Sequence, residues 1–299
     1  MMIRPDSRPH EGFIAPARHK SELWRFVLGI VVAMFCYLMF NRIFFRAVYD
    51  LWPADSAADY DMLLTGSTVA SMYLLMFSFV FMTLATGIAV RAIHDRPMGS
   101  LLGPLGLALP QFARVSVAMI VLTAVVFVLP PWQMGGQLTL NMPPLRWLLL
   151  LPLSMLAVLV QVSAEEIVFR GYVQQQLAAR FRSPLIWMVL PSAFFALGHY
   201  LPDSAGANAL PIAIWAGVFG ILMADLTARS GSLGPAIAFH FWNNVSAIVI
   251  VSLPDDLSGL ALYLSPFGMG DTEALRAWLP VDFALMLVGW LAARLAIRR

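Results

Sequence analysis

Charged residues are scarce in this 299-residue sequence, where Asp, Glu, Lys and Arg together make up 12%. Soluble domains carry about 25% charged residues, so this chain has too few charges to cover a soluble surface. It has one cysteine, Cys36, which excludes an intramolecular disulfide and a cysteine metal cluster. The net charge of only +2 gives no indication of nucleic-acid binding. These absences favour an integral membrane protein that does not bind nucleic acid.

Apolar residues make up 60% of the chain and fall into long runs. Because a membrane helix needs about 20 mostly apolar residues, we predict an all-α, polytopic membrane protein with about eight spans. A short apolar stretch at residues 101–110, rich in glycine and proline, is interpreted as a connector or a re-entrant piece and not as a span. The predicted spans lie near residues 23–40, 68–90, 115–130, 147–162, 184–200, 209–228, 235–253 and 279–297.

The distribution of basic residues predicts the orientation of these spans. Cytoplasmic loops of membrane proteins carry an excess of Lys and Arg. With eight spans and a cytoplasmic N-terminus, most of the 19 basic residues fall in cytoplasmic segments. Both termini are therefore predicted to be cytoplasmic. Arginine far outnumbers the single lysine, which favours a bacterial plasma membrane as the location.

Two adjacent glutamates stand at the end of the fourth predicted span. Glu166 and Arg170 are four residues apart, a spacing that stacks side chains on one helix face, so we predict an ion pair. Glu165 points about 100° away and is left free to act as a general base. The alternative is that both glutamates only terminate the span at the membrane surface. The same spacing predicts that Asp225, in the sixth span, pairs with Arg229.

Two histidines and an amide also fall within apolar spans. His199 follows Phe195 by four residues, and His240 precedes Asn244 by four residues, which places each pair on one helix face. A lone membrane histidine is more often a packing residue. Together with Glu165, however, these groups supply a base, an orienting imidazole and donors for a developing oxyanion. This inventory is sufficient to hydrolyse an amide with activated water.

The three patterns, taken in order, resemble the motifs of the CPBP intramembrane proteases. This family includes the type 2 CAAX prenyl endopeptidases and bacteriocin-processing and self-immunity proteins. Glu-Glu-x-x-x-Arg matches residues 165–170, Phe-x-x-x-His matches residues 195–199, and His-x-x-x-Asn matches residues 240–244. The resemblance covers residues 147–252.

The resemblance implies a role for each motif residue. Glu165 would activate water with the help of His199. His240 and Asn244 would stabilise the tetrahedral oxyanion. Supporting, geometry-fixing roles are implied for Glu166, Arg170 and Phe195.

Two interpretations of the cofactor stay open. Glu165, His199 and His240 offer one carboxylate and two imidazoles, a set that can bind Zn²⁺ and leave a position for water. A water held directly by Glu165 and His199 needs no metal. The sequence has no His-Glu-x-x-His motif, and the three candidate ligands come from separate spans.

We therefore predict an intramembrane endopeptidase whose partners are the lipid bilayer and a membrane-associated peptide or lipidated protein substrate. One alternative is a non-catalytic immunity or peptide-binding protein of the same fold. Another is a transporter, which would show internal repeats that this sequence lacks. The predicted divisions are a cytoplasmic segment (1–22), membrane helices (23–130), a catalytic core (147–252) and a last helix with a basic tail (279–299).

Overall fold

The computed structural model of the protein describes residues 8–51, 64–129, 136–254 and 257–298. The structure is 81% helical, and its three strands have two residues each, so the predicted all-α polytopic membrane fold is confirmed. Within these described ranges, six helices are long and apolar enough to cross a membrane. Residue 130, the predicted end of the third span, lies outside the described residues, as do residues 1–7 and 299 of the two terminal divisions.

The helices and strands follow one another closely along the chain. In the described residues, three π-helical segments extend α-helices. Ile167–Gln174 joins the helices Pro144–Glu166 and Gln175–Arg180, Leu185–Val189 leads into Leu190–Gly198, and Val245–Ile250 continues Gly234–Asn244. The strands β1 (Thr139–Leu140), β2 (Val251–Ser252) and β3 (Tyr263–Leu264) form a small sheet in the order β1-β3-β2. The α-helices are α1 (Arg8–Ile14), α2 (Leu23–Leu51), α3 (Val69–Ser78), α4 (Val80–His94), α5 (Leu105–Val128), α6 (Pro144–Glu166), α7 (Gln175–Arg180), α8 (Leu190–Gly198), α9 (Pro202–Ala205), α10 (Ala209–Ser230), α11 (Gly234–Asn244) and α12 (Thr272–Ala296).

The predicted spans compare closely with these helices. Six of the eight coincide with helices of membrane-crossing length. The fifth is the shorter apolar helix Leu185–Gly198, and the seventh is α11 with its π-helical continuation. The number eight and the cytoplasmic termini stay predictions. The interpretation of residues 101–110 as a connector or a re-entrant piece was wrong for residues 105–110, because α5 begins at Leu105, continues through Pro110 and is long and apolar enough to cross a membrane.

Part of the predicted cytoplasmic segment 1–22 is folded against the helix bundle. Phe13 and Ile14 are only 2% and 3% exposed, and both lie in the main hydrophobic core. The main-chain carbonyl of Phe13 accepts a hydrogen bond of 2.6 Å from Gln175 Nε2. His10 stacks on Trp187 with 4.6 Å between the ring centroids. Helix α1 therefore covers one end of the bundle.

Helices α5 and α11 pack so closely that their backbones touch. A Cβ atom on Gly234 would overlap the carbonyl oxygen of Ala108. The amide of Leu233 donates to the carbonyl of Leu102 at 3.0 Å, which fixes the start of α11 against the segment before α5. This contact holds in place the helix that carries His240.

Gly234→Ala is expected to lower the free energy of unfolding by about 1–3 kcal/mol, because the new methyl group meets backbone that cannot rotate away. Thermal unfolding of the detergent-purified protein, followed by circular dichroism, measures this effect. Gly106→Ala on α5 is the matched control, since a Cβ there meets no atom within 4 Å. Equal melting temperatures for the two variants would contradict the backbone contact.

Candidate active site

The three sequence motifs meet where α6, α8 and α11 come together. Glu165 lies in the last turn of α6, His199 follows the last residue of α8, and His240 lies on α11. The ring of Phe195 joins the two imidazoles, with its centroid 4.4 Å from that of His199 and 6.1 Å from that of His240. The sequence alone left the depth of His199 relative to the other residues open. In the structure, His199 and His240 both contact the ring of Phe195.

Glu166 connects two of the motifs through a single oxygen atom. Its Oε1 accepts a hydrogen bond from Arg170 Nη1 at 3.1 Å, so the predicted ion pair is present. The same Oε1 is 2.8 Å from His240 Nδ1. A carboxylate paired with arginine only accepts hydrogen bonds, so Nδ1 of the imidazole must carry the proton. In a neutral His240, Nε2 is then the unprotonated nitrogen.

Arg170 is 1% exposed and Glu166 is fully buried, so this charge pair lies deep in the protein. The guanidinium also donates to the carbonyl of Gly220 on α10 at 3.1 Å and lies 4.9 Å from the centroid of the Phe195 ring. These contacts link α6, α8 and α10 through one side chain. The pair therefore orders the helices around the site.

Glu165 presents one bonded and one unbonded oxygen. Oε1 accepts a hydrogen bond of 2.7 Å from Gln161 Nε2. Oε2 is buried and has no hydrogen-bond partner in the described structure, and it lies 3.6 Å from His240 Nε2. The prediction that Glu165 stays free therefore holds for Oε2 alone. This oxygen faces Nε2 of the His240 imidazole, and no hydrogen bond joins the two atoms in the described structure.

The sequence analysis missed two polar residues of the site. Gln161 accepts a hydrogen bond of 2.9 Å from Asn244 Nδ2, and Asn243 Nδ2 donates to Asn244 Oδ1 at 3.2 Å. Gln161 could have been found, because it is a polar residue in an apolar span, four residues before Glu165 and so on the same helix face. Asn243 directly precedes a motif residue but lies outside the four-residue spacing.

His199 is held differently from His240. Its Nδ1 lies 2.8 Å from the carbonyl of Phe195, so this nitrogen is the protonated one and Nε2 is available. No hydrogen bond or ion pair joins His199 to Glu165 in the part of the chain that the structure describes. The imidazole that faces Glu165 is that of His240.

The described residues do not assemble a three-ligand metal site. In residues 8–51, 64–129, 136–254 and 257–298, no group of three His, Cys, Asp or Glu side chains is arranged to hold a metal ion. Glu165 and His240 approach each other, but His199 does not complete the set. The arrangement does not fit the zinc site that the sequence left open, so no reaction step below is routed through a metal.

The residues of the site differ in burial. Glu165, His199 and Asn244 are half-buried, whereas His240 behind them is 4% exposed. Phe219 closes the inner side, with its ring centroid 4.8 Å from that of His240. One side of the site is therefore partly exposed, whereas Oε2 of Glu165 itself is buried.

Comparison with known proteins identifies this part of the chain. Residues 144–246 match the family model described as Type II CAAX prenyl endopeptidase Rce1-like. The predicted resemblance is confirmed. The Rce1-like segment (144–246) begins with the first residue of α6 and ends two residues after Asn244, so it contains all three motifs.

One similar protein extends the comparison beyond this segment. The chain is 23% identical over 260 residues to the protein named Uncharacterized protein YyaK of Bacillus subtilis (strain 168), which covers 83% of this chain and 84% of the relative. The similarity therefore includes helices outside the Rce1-like segment. No solved structure matches the chain.

Proposed function

We propose that the protein is an intramembrane endopeptidase that hydrolyses a peptide bond of a membrane-associated peptide or a lipidated protein. The observation that carries the proposal is the unpaired Oε2 of Glu165, 3.6 Å from His240 Nε2. A buried carboxylate oxygen without a hydrogen-bond partner costs folding free energy, and such groups are concentrated at functional sites. The Rce1-like segment supports the reaction class, since the pair lies within it.

The proposed reaction begins with a water molecule that contacts both Glu165 Oε2 and His240 Nε2. As the water oxygen attacks the carbonyl carbon of the scissile amide, Glu165 takes its proton and a tetrahedral oxyanion forms. The second N–H of Asn244 donates to this oxyanion. When the C–N bond breaks, Glu165 returns the proton to the leaving amine. His199, with Nε2 available, is proposed as a second group that holds the water.

The substrate class follows from where the carboxylate lies. Glu165 lies within the continuous helical stretch Pro144–Arg180, which is long and apolar enough to span a membrane, and α6 exposes leucines such as Leu149 and Leu156 on its outer surface. A substrate that reaches Glu165 must therefore be associated with the bilayer. We propose a peptide or a lipidated protein segment at the membrane face. The proposed location is a bacterial plasma membrane.

The test compares new protein termini in cells that carry wild type, Glu165→Gln or Glu273→Gln, by quantitative mass spectrometry of membranes and medium. Glu273→Gln is the matched control, because it makes the same chemical change at an exposed position in the first turn of α12. Protein levels are matched by immunoblot. Termini that disappear with Glu165→Gln and persist with Glu273→Gln are the expected result and name the substrate. If all three strains share the same termini, hydrolysis is excluded and a non-catalytic peptide-binding function takes its place.

A further inference from the structure

Three amide side chains form a continuous hydrogen-bonded chain that ends on Glu165. Asn243 Nδ2 donates to Asn244 Oδ1 at 3.2 Å. Asn244 Nδ2 then donates to Gln161 Oε1 at 2.9 Å, and Gln161 Nε2 donates to Glu165 Oε1 at 2.7 Å. The bonds shorten toward the carboxylate, where the acceptor carries a charge.

The carboxylate fixes the direction of this chain. An ionised Glu165 can only accept, so Gln161 must turn its NH₂ group toward it and its carbonyl toward Asn244. Asn244 must then direct its NH₂ group to Gln161 and its carbonyl to Asn243. Side-chain amides are nearly symmetric in shape, so a charged group at one end decides the orientation of each amide in turn.

Gln161 differs from other buried glutamines of this protein in what it binds. Gln174 and Gln111 each donate to a main-chain carbonyl of another helix, at Ala224 and Ser230 respectively. Gln161 is 6% exposed, and both of its polar atoms bond to motif side chains. Its hydrogen bonds therefore order the site and not the contact between helix backbones.

We propose that Gln161 is a positioning residue that aims both Glu165 and Asn244 at the substrate. By occupying Oε1, it leaves Oε2 of Glu165 as the oxygen that faces His240. By accepting one N–H of Asn244, it directs the other N–H of that amide into the site as the oxyanion donor. This inference rests on the proposed hydrolysis and adds a residue outside the three motifs.

The experiment measures kcat and KM of purified Gln161→Leu on an internally quenched peptide that spans the cleavage site found by terminus mapping. Leucine has a similar size and removes both hydrogen bonds. We expect kcat to fall about 10–100-fold, the loss of one or two bonds to charged or reacting groups, with KM changed by less than about threefold. Gln174→Leu, the same change on the following helical segment, is expected to lower the melting temperature and to keep kcat.

A double-variant comparison separates positioning from a general loss of structure. Gln161 acts partly through Asn244. The fold-decrease in kcat of the double variant Gln161→Leu with Asn244→Ala is therefore expected to be smaller than the product of the two single fold-decreases. Two results would overturn the inference when Glu165→Gln still abolishes cleavage. One is a fold-decrease in kcat of the double variant that equals the product of the two single decreases. The other is a kcat of Gln161→Leu equal to that of wild type. If Glu165→Gln leaves cleavage unchanged, the proposed function itself fails, and the role of Gln161 fails with it.

Discussion

Replacing His240 by asparagine is expected to lower kcat/KM by about 10²–10⁴-fold while the protein stays folded. The asparagine amide reaches the position of the imidazole Nδ1 and can still donate to Glu166, so the buried carboxylate keeps its partner. It has no atom at the position of Nε2, which faces Glu165 Oε2 in the wild type. The proposed water, which would contact both of these atoms, then loses one of its two contacts.

Two further variants test this assignment. His240→Gln places its amide near the position of Nε2 and leaves Glu166 without the bond from Nδ1, so it is expected to be less stable than His240→Asn. His10→Asn is the matched control, because His10 stacks on Trp187 away from the site. Cleavage of the quenched peptide and melting temperature are measured for all three. Near-wild-type cleavage by His240→Asn would show that Nε2 takes no part in the reaction.

Replacing Arg170 by methionine is expected to cost about 3–5 kcal/mol of unfolding free energy, because it leaves the fully buried Glu166 without its counter-ion. It also removes the bond to the carbonyl of Gly220, which joins the π-helical segment Ile167–Gln174 to α10. Unfolding by SDS titration in mixed micelles measures the loss. Glu166→Gln combined with Arg170→Met is expected to recover most of it, since both charges are gone and the glutamine oxygen can still accept from His240.

Arg229→Met is the matched control for this loss. Arg229 forms the predicted pair with Asp225 at 2.7 Å and at the same four-residue spacing, but both side chains are nearly a fifth exposed. Asp225 also accepts a hydrogen bond of 3.1 Å from Trp290 Nε1, so it keeps a partner when Arg229 is removed. We expect Arg229→Met to lower the unfolding free energy by less than about 1 kcal/mol, as for partly solvated ion pairs. Equal losses for Arg229→Met and Arg170→Met would contradict a special role for the buried pair.

Contacts within one helix were predictable from spacing alone. The bonds between Glu166 and Arg170 and between Asp225 and Arg229 both follow from four-residue separation. The bond between Glu166 and His240 was not predictable, since it joins residues 74 positions apart on two helices. The sequence therefore indicated the motif residues of the candidate site, but not Gln161 and Asn243. Which imidazole faces Glu165 is decided by helix packing.

Span lengths were predictable from hydropathy, whereas the π-helical segments were not. The segment Ile167–Gln174 directly follows the motif glutamates, and Val245–Ile250 directly follows Asn244. The extra residue per turn in such segments leaves no signature in a pattern of apolar residues. The burial of Phe13 and Ile14 was also missed, because a short apolar cluster in a polar segment carries no periodic pattern.

The contacts of α1 with later parts of the chain restrict the order in which the protein can fold. The hydrogen bond between Phe13 and Gln175 joins positions 162 residues apart, and Gly231 packs against the carbonyl of Pro9. Helix α1 is synthesised before these partners, so it cannot reach its final place until Gln175 and Gly231 have been made. Until α1 docks, the hydrophobic cluster that contains Phe13 and Ile14 is incomplete.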